Sequence, residues 1–124
     1  MEWSKSWKAS KQPRKQRSYV YNIPLHLARK LMSVHLVKDL RSKYHKRNIP
    51  VRKGDTVKVL SGQFKGKTGK VDKVQLKFKR VFVDNVYTLK RDGSKKLYPL
   101  QPSNLMITEL NLEDKMRKQA LEKK

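Results

Sequence analysis

The chain has 124 residues, 32 Lys+Arg against 10 Asp+Glu, a formal charge of +22, and only 36% hydrophobic residues. That is enough for one modest domain with arms, and such self-repulsion calls for a polyanion as counter-charge. No cysteine removes a disulfide scaffold and thiolate chemistry, no apolar run approaches the ~20 residues of a membrane span, and no signal-peptide core opens the chain.

The charge is not confined to one amphipathic helix. Residues 1–50 hold 13 basic and 2 acidic residues, and residues 51–110 hold 14 and 5. A membrane-surface anchor would concentrate it, so the spread favours nucleic acid.

Residues 1–21 show neither helical nor alternating periodicity. Lys5, Lys8, Lys11, Arg14, Lys15 and Arg17 are interleaved with Trp3, Trp7, Tyr19 and Tyr21. This is the composition of a basic arm, disordered alone, that lies along RNA with rings free to stack on bases. Residues 23–45 read as helical. Pro24 fits a first turn, and Leu25, Ala28, Leu31 and Met32 share one face. Ser33 is a candidate cap for a second helix, with Met32 and Val37 as its staple. Arg29, Lys30, Lys38 and Arg41 then face RNA or solvent. Residues 46–50 form a basic linker into the first strand.

Residues 51–74 organise the rest. Val57 and Val59 alternate with Lys58, giving a strand with one apolar and one basic face. A turn-rich loop follows. Gly62, Gly66 and Gly69 are three of only five glycines, and Lys65, Lys67 and Lys70 lie between and beside them. A mobile cationic loop with accessible backbone N–H groups suits phosphates. Val71 and Val74 break strict alternation, which predicts a bulge. Lys77-Phe78-Lys79 is a basic turn before a strand over 80–86. Asp92-Gly93 between two strand-like runs predicts a hairpin whose tip carries Lys90, Arg91, Lys95 and Lys96. A closing strand spans 105–110. Asn111 is a candidate cap for a last helix, with Glu113 and Asp114 in its first turn. The expected fold is mainly β: a small SH3-like barrel of about five strands, preceded by a basic arm and short helices and followed by a short C-terminal helix. The boundaries are 1–21, 22–49, 50–110 and 111–124.

Catalytic chemistry is missing. The carboxylates are few, and Asp55 and Asp92 fit turns in which Asp bonds its own backbone. His26, His35 and His45 have no metal-helix spacing and no cysteine partners. Gly62 and Gly66 enclose three residues where a phosphate-binding loop of the nucleotide hydrolases needs four. No enzyme, metal or cofactor is expected.

The stretch Arg52-Lys53-Gly54-Asp55, Val57-Lys58-Val59, Gly62, Phe64-Lys65-Gly66 and Gly69-Lys70-Val71 resembles the KOW motif of SH3-like barrels. The flanks narrow the resemblance. Lys11-Gln12-Pro13-Arg14-Lys15-Gln16-Arg17, Pro24-Leu25-His26-Leu27, His35-Leu36 and Pro102-Ser103-Asn104-Leu105-Met106-Ile107 resemble the archaeal and eukaryotic form of the universal large-subunit ribosomal protein twenty-four family. The likeness spans about residues 11–118. No longer C-terminal tail of the eukaryotic kind follows, so an archaeal source is expected.

The resemblance implies a structural protein of the cytoplasmic ribosome that contacts large-subunit RNA near its 5′ region. It implies early assembly, a position close to the polypeptide exit tunnel, and neighbouring ribosomal proteins as partners, with no membrane and no homo-oligomer. The candidate RNA contacts in the arm and helices are Lys11, Arg14, Lys15, Arg17, Arg29, Lys30 and Arg41. Those in the barrel are Arg52, Lys53, Lys58, Gly62, Lys65, Gly66, Lys67, Lys70, Lys79 and Arg80, with Arg91, Lys95 and Lys96 at the hairpin tip. A KOW-type elongation factor binding RNA polymerase and nascent RNA is the alternative. Only about 50 residues precede the barrel here, too few for the separate α/β domain normal in that class. A chromatin-like barrel on DNA is a third reading, which needs no aromatic-cationic arm.

Overall fold

The computed structural model describes residues 3–123. The first two residues of the expected 1–21 arm and the last residue of the 111–124 tail lie outside the described residues.

Eight strands are present among them: β1 Ser33–Leu36, β2 Asn48–Pro50, β3 Thr56–Val59, β4 Thr68–Gln75, β5 Arg80–Val83, β6 Tyr87–Leu89, β7 Lys95–Leu97 and β8 Leu105–Glu109. The helices are α1 Pro13–Asn22, α2 Leu25–Leu31, α3 Lys38–Tyr44 and α4 Lys115–Glu122, with short 3-10 turns at Lys5–Ala9 and Pro102–Asn104. Six strands form one mixed sheet in the order β2-β1-β8-β3-β4-β5, and β6 and β7 pair apart from it as a hairpin. Only β1 and β8 run parallel.

Alternation decides the core. Val57 and Val59 are buried while Lys58 is exposed, and Val81 and Val83 are buried on β5. Leu105 and Ile107 of β8 complete that layer with Val34, Leu36 and Met32, all fully buried. β4 is shared. Its first residues, Thr68 to Lys70, pair with β3, and Val71 to Gln75 pair with β5. The register shifts between Val71 and Lys73. That is the bulge expected from the Val71–Val74 spacing, and it bends the strand between its two partners.

Several expectations need correction. The pairing is a six-strand mixed order rather than a closed barrel of about five strands. The two extra strands come from residues assigned to helix and linker. Ser33 opens β1 instead of capping a helix, and its hydroxyl donates to the Lys30 carbonyl at the end of α2. Val37, not Ser33, precedes the next helix. Asn48 to Pro50 pair with His35 to Ser33, so the linker is β2.

Residues 1–21 were expected to lack a pattern, but Pro13–Asn22 is helical, with Pro13 at its first position. Side chains brace it. Gln16 Nε2 donates to the carbonyls of Trp7, Lys8 and Ser10 at 3.2, 3.0 and 2.5 Å. Trp3 stacks on Tyr19 with ring centroids 5.4 Å apart, and its Nε1–H donates to the Tyr19 carbonyl at 3.1 Å. That carbonyl belongs to the last turn, where helical acceptors lack partners. Two rings expected to await bases are thus spent on each other.

The start of α4 also differs. Asp114 is its cap, accepting from Met116 N at 2.9 Å, while Asn111 accepts from Glu113 N before the helix. Asp114 also pairs with Arg52, and that contact, then the Met116 N–H, holds its carboxyl below the usual range.

Asp55 is fully buried at the head of β3. It holds its own turn by accepting from Arg52 N, as expected, and additionally accepts from Asn111 N. Both its oxygens take bonds of 2.6 Å from the Arg117 guanidinium of α4. Arg117 also donates to the carbonyls of Asn111 and Pro50. A single buried pair therefore joins β3, the β2 end and the C-terminal helix.

Gly69 serves a close approach. A Cβ there would sit 2.7 Å from Asp84 Oδ1 and 2.9 Å from Val83 Cγ1. Val83 is fully buried, and Asp84 Oδ1 accepts from Lys70 N. Neither can retreat without a loss. Gly69→Ala is expected to cost about 1–3 kcal/mol by overpacking, read as a lower urea midpoint with an unchanged slope. An unchanged midpoint would show that the β4–β5 contact is soft.

Candidate nucleic-acid interface

The loop between β3 and β4 is pinned at both ends. Leu60 N donates to the Asn104 carbonyl at 2.8 Å, and Val59 N to the Lys67 carbonyl at 2.9 Å. Inside it, Lys65 N, Gly66 N and Lys67 N donate to the carbonyls of Gly62, Val59 and Phe64. Gly66 has φ +90 and Gly62 φ +94, the left-handed region open to glycine. Phe64 is buried beneath the loop, and its ring lies 4.9 Å from that of Tyr98. Tyr98 follows β7, so the glycine loop and the hairpin base are tied through two rings.

This revises the expected phosphate cradle. The loop is internally bonded and anchored by Phe64, and the N–H groups of Lys65, Gly66 and Lys67 are already used. Its cations are what it presents. Lys65, Lys67, Lys58 and Lys70 are all exposed. Lys58 stands opposite Thr68, and Lys70 lies two residues further along β4, a diagonal neighbour on the same face. Lys67 Nζ sits 5.3 Å from the Phe64 ring centroid. A shallow cleft beside the loop brings Gly62 and Phe64 next to Arg80, Tyr98 and Asn104.

The hairpin tip turns at Gly93 as expected. Asp92 Oδ1 accepts from the N–H and the hydroxyl of Ser94 at 2.9 and 2.7 Å. The hydroxyl bond chiefly, then the backbone bond, holds the Asp92 carboxyl below its usual value. Asp92 is thus occupied at home, while Arg91, Lys95 and Lys96 are exposed around it. Lys95 Nζ lies 4.6 Å from the Tyr87 ring centroid.

The remaining candidates are distributed. Lys11, Arg14 and Arg17 are exposed on or just before α1, and Lys15 is half-buried there. Arg29 and Lys30 are exposed in the last turn of α2. Lys53 is exposed before β3. Two are already engaged: Arg41 Nε donates to the Leu36 carbonyl, and Arg52 pairs with Asp114. Lys79 and Arg80 are half-buried, and burial lowers the Lys79 ammonium from its ordinary value. Tyr98 and Gln63 beside the loop, and Lys77 and Phe78 in the basic turn, lie outside the contacts expected from sequence. Nothing local marks Tyr98, because its role comes from Phe64, more than thirty residues earlier.

No group of three or more His, Asp or Glu residues able to hold a metal occurs among the described residues. No helix among them is long and apolar enough to cross a membrane.

Residues 10–124 match the family described as "Ribosomal proteins L26 eukaryotic, L24P archaeal". The "Large ribosomal subunit protein uL24" of the archaeon Methanosphaera stadtmanae is 51% identical over 115 residues, covering 93% of this chain and 98% of that protein. The anchored basic loop and the exposed hairpin cations therefore sit in a chain that belongs to this ribosomal protein family, as a structural, non-enzymatic component of the cytoplasmic ribosome.

Proposed function

We propose that this chain is a constituent of the large ribosomal subunit that binds large-subunit RNA near its 5′ region. In this reading it joins early in assembly and lies near the polypeptide exit tunnel, beside other large-subunit proteins. The observation that carries the RNA contact is the anchored loop. Phe64 fixes a turn whose outer side carries Lys65 and Lys67, with Lys58 and Lys70 on the adjoining strands. Cations carried on an anchored backbone meet phosphates at a lower ordering cost than those of a mobile loop. The bend of β4 between β3 and β5 supports classing this sheet with the SH3-like KOW folds. The basic α1 segment, with Lys11, Arg14, Lys15 and Arg17, is the second contact, lying along an RNA backbone. Recognition is by shape and phosphate rather than by base sequence.

Co-sedimentation with large subunits in high salt tests the assignment. Failure to pellet with them, under conditions where neighbouring proteins do, would overturn it. Lys65→Ala tests the loop. It is expected to lower affinity for large-subunit RNA modestly and to reduce the salt slope by roughly one phosphate contact. An unchanged slope would remove Lys65 from the interface.

A further inference from the structure

A second cleft, of about 750 Å³, lies between α1 and the turn joining β4 to β5. Arg17, Val20 and Tyr21 line it from the helix, and Lys77, Phe78 and Lys79 from the turn. Its rings are unusually open: Tyr21 is 81% and Phe78 59% exposed. Large exposed aromatics flanked by cations are a recognition surface rather than a core remnant.

Both walls are held in place. α1 is braced through Gln16 and through the Trp3–Tyr19 stack. The turn closes through Lys79 N, which donates to the Leu76 carbonyl at 3.4 Å, and Lys79 has φ +53, uncommon for a residue with a side chain. Lys79 Nζ donates to the Lys77 carbonyl at 3.1 Å, and Lys77 Nζ lies 5.6 Å from the Phe78 ring centroid. No carboxylate lines the cleft.

We propose that this cleft receives an unpaired nucleotide of the bound RNA, its base stacked on Tyr21 or Phe78 and its phosphates met by Arg17, Lys77 and Lys79. The proposal rests on the RNA-binding reading. Charge complementarity selects the occupant. Three cations without a carboxylate fit a phosphodiester, and open ring faces fit a base released from its helix. A duplex offers no free base face, so this cleft distinguishes single-stranded from paired RNA, which the lysine loop does not.

The test uses the full chain with two fluorescently labelled probes, an octauridylate strand and a 16-base-pair RNA duplex. Tyr21→Leu and Phe78→Leu keep an apolar side chain but cannot stack. Each is expected to weaken octauridylate binding about tenfold, with the salt slope and the duplex affinity unchanged. Phe78→Tyr is expected to restore binding. Wild-type affinity for the strand in both leucine variants overturns the proposal, and would fit a cleft that instead takes an apolar protein segment. Equal losses on strand and duplex overturn it too, since that pattern reports a general structural effect. If Lys65→Ala still lowers duplex affinity, the loop reading survives either result. Absence of wild-type binding to both probes overturns the two readings together.

Discussion

Arg117→Met is expected to destabilise the protein by about 3–5 kcal/mol, the cost of leaving a buried charge without its partner. Asp55 has no exposed surface, and the Arg117 side chain is 4% exposed. The guanidinium supplies two of the four hydrogen bonds that Asp55 accepts, and the other two come from Arg52 N and Asn111 N. Methionine fills much of the same volume, so a cavity is not the main term. What remains is a carboxylate in the core with half its partners gone. A single domain is commonly stable by only about 5–15 kcal/mol, so this loss takes a large share. The same change loosens α4, leaving it held by Leu121 in the core and by the exposed Arg52–Asp114 pair at its start. Exposed pairs contribute little, so Arg52→Ala is the control and is expected to shift the midpoint far less. Urea unfolding followed by circular dichroism reads both variants. A midpoint for Arg117→Met within the range of ordinary surface substitutions would show that the clasp is dispensable.

The clasp also shows where sequence reading stops. Asp55 lies in Arg-Lys-Gly-Asp, a strong local turn, and the turn is real. Its second role depends on a residue 62 positions later, which no local pattern announces. Local chemistry elsewhere was enough. Asp92-Gly93 specified a hairpin because only certain backbones close it. The Val71–Val74 spacing specified a bulge because a strand cannot place both on one face without an extra residue. Two patterns meet at residues 32–37. Met32, Val34 and Leu36 alternate as a strand requires, but Leu25, Ala28, Leu31 and Met32 before them and Val37, Leu40 and Tyr44 after them keep helical spacing and mask it. The choice of strand comes from β8, whose Met106 and Ile107 pair with His35 and Leu36 about seventy residues away.

The candidate interface divides in the same manner. That Lys65, Lys67 and the hairpin cations are exposed follows from their charge. That the loop is rigid does not, because it needs Phe64 buried against Tyr98. The glycines suggested mobility, yet their positive φ values serve a tight, bonded turn. In sequence Trp3 and Tyr19 look like free rings, because an arm with no apolar stripe has no visible use for them. The use is each other, at the end of α1.

Gly66→Asp is expected to abolish most RNA affinity, roughly tenfold or more beyond the effect of Lys65→Ala, while the protein stays folded. Gly66 has φ +90, so any side chain there is strained by ~1 kcal/mol or more. The strain is affordable, because a Cβ at this position meets no atom within 4 Å and the residue is exposed. The loop's anchors, Phe64 and the Gly66 N–H bond to the Val59 carbonyl, do not depend on the missing Cβ. The charge is what acts. A carboxylate between Lys65 and Lys67 offsets their field and repels the phosphates that the loop meets. Gly66→Ala separates the two effects, since it carries the strain without the charge and is expected to bind nearly as well as wild type. A salt titration of binding to large-subunit RNA reads all three variants, with circular dichroism as the folding control. Wild-type affinity in a folded Gly66→Asp would place the RNA surface on another face and leave this loop a solvated turn.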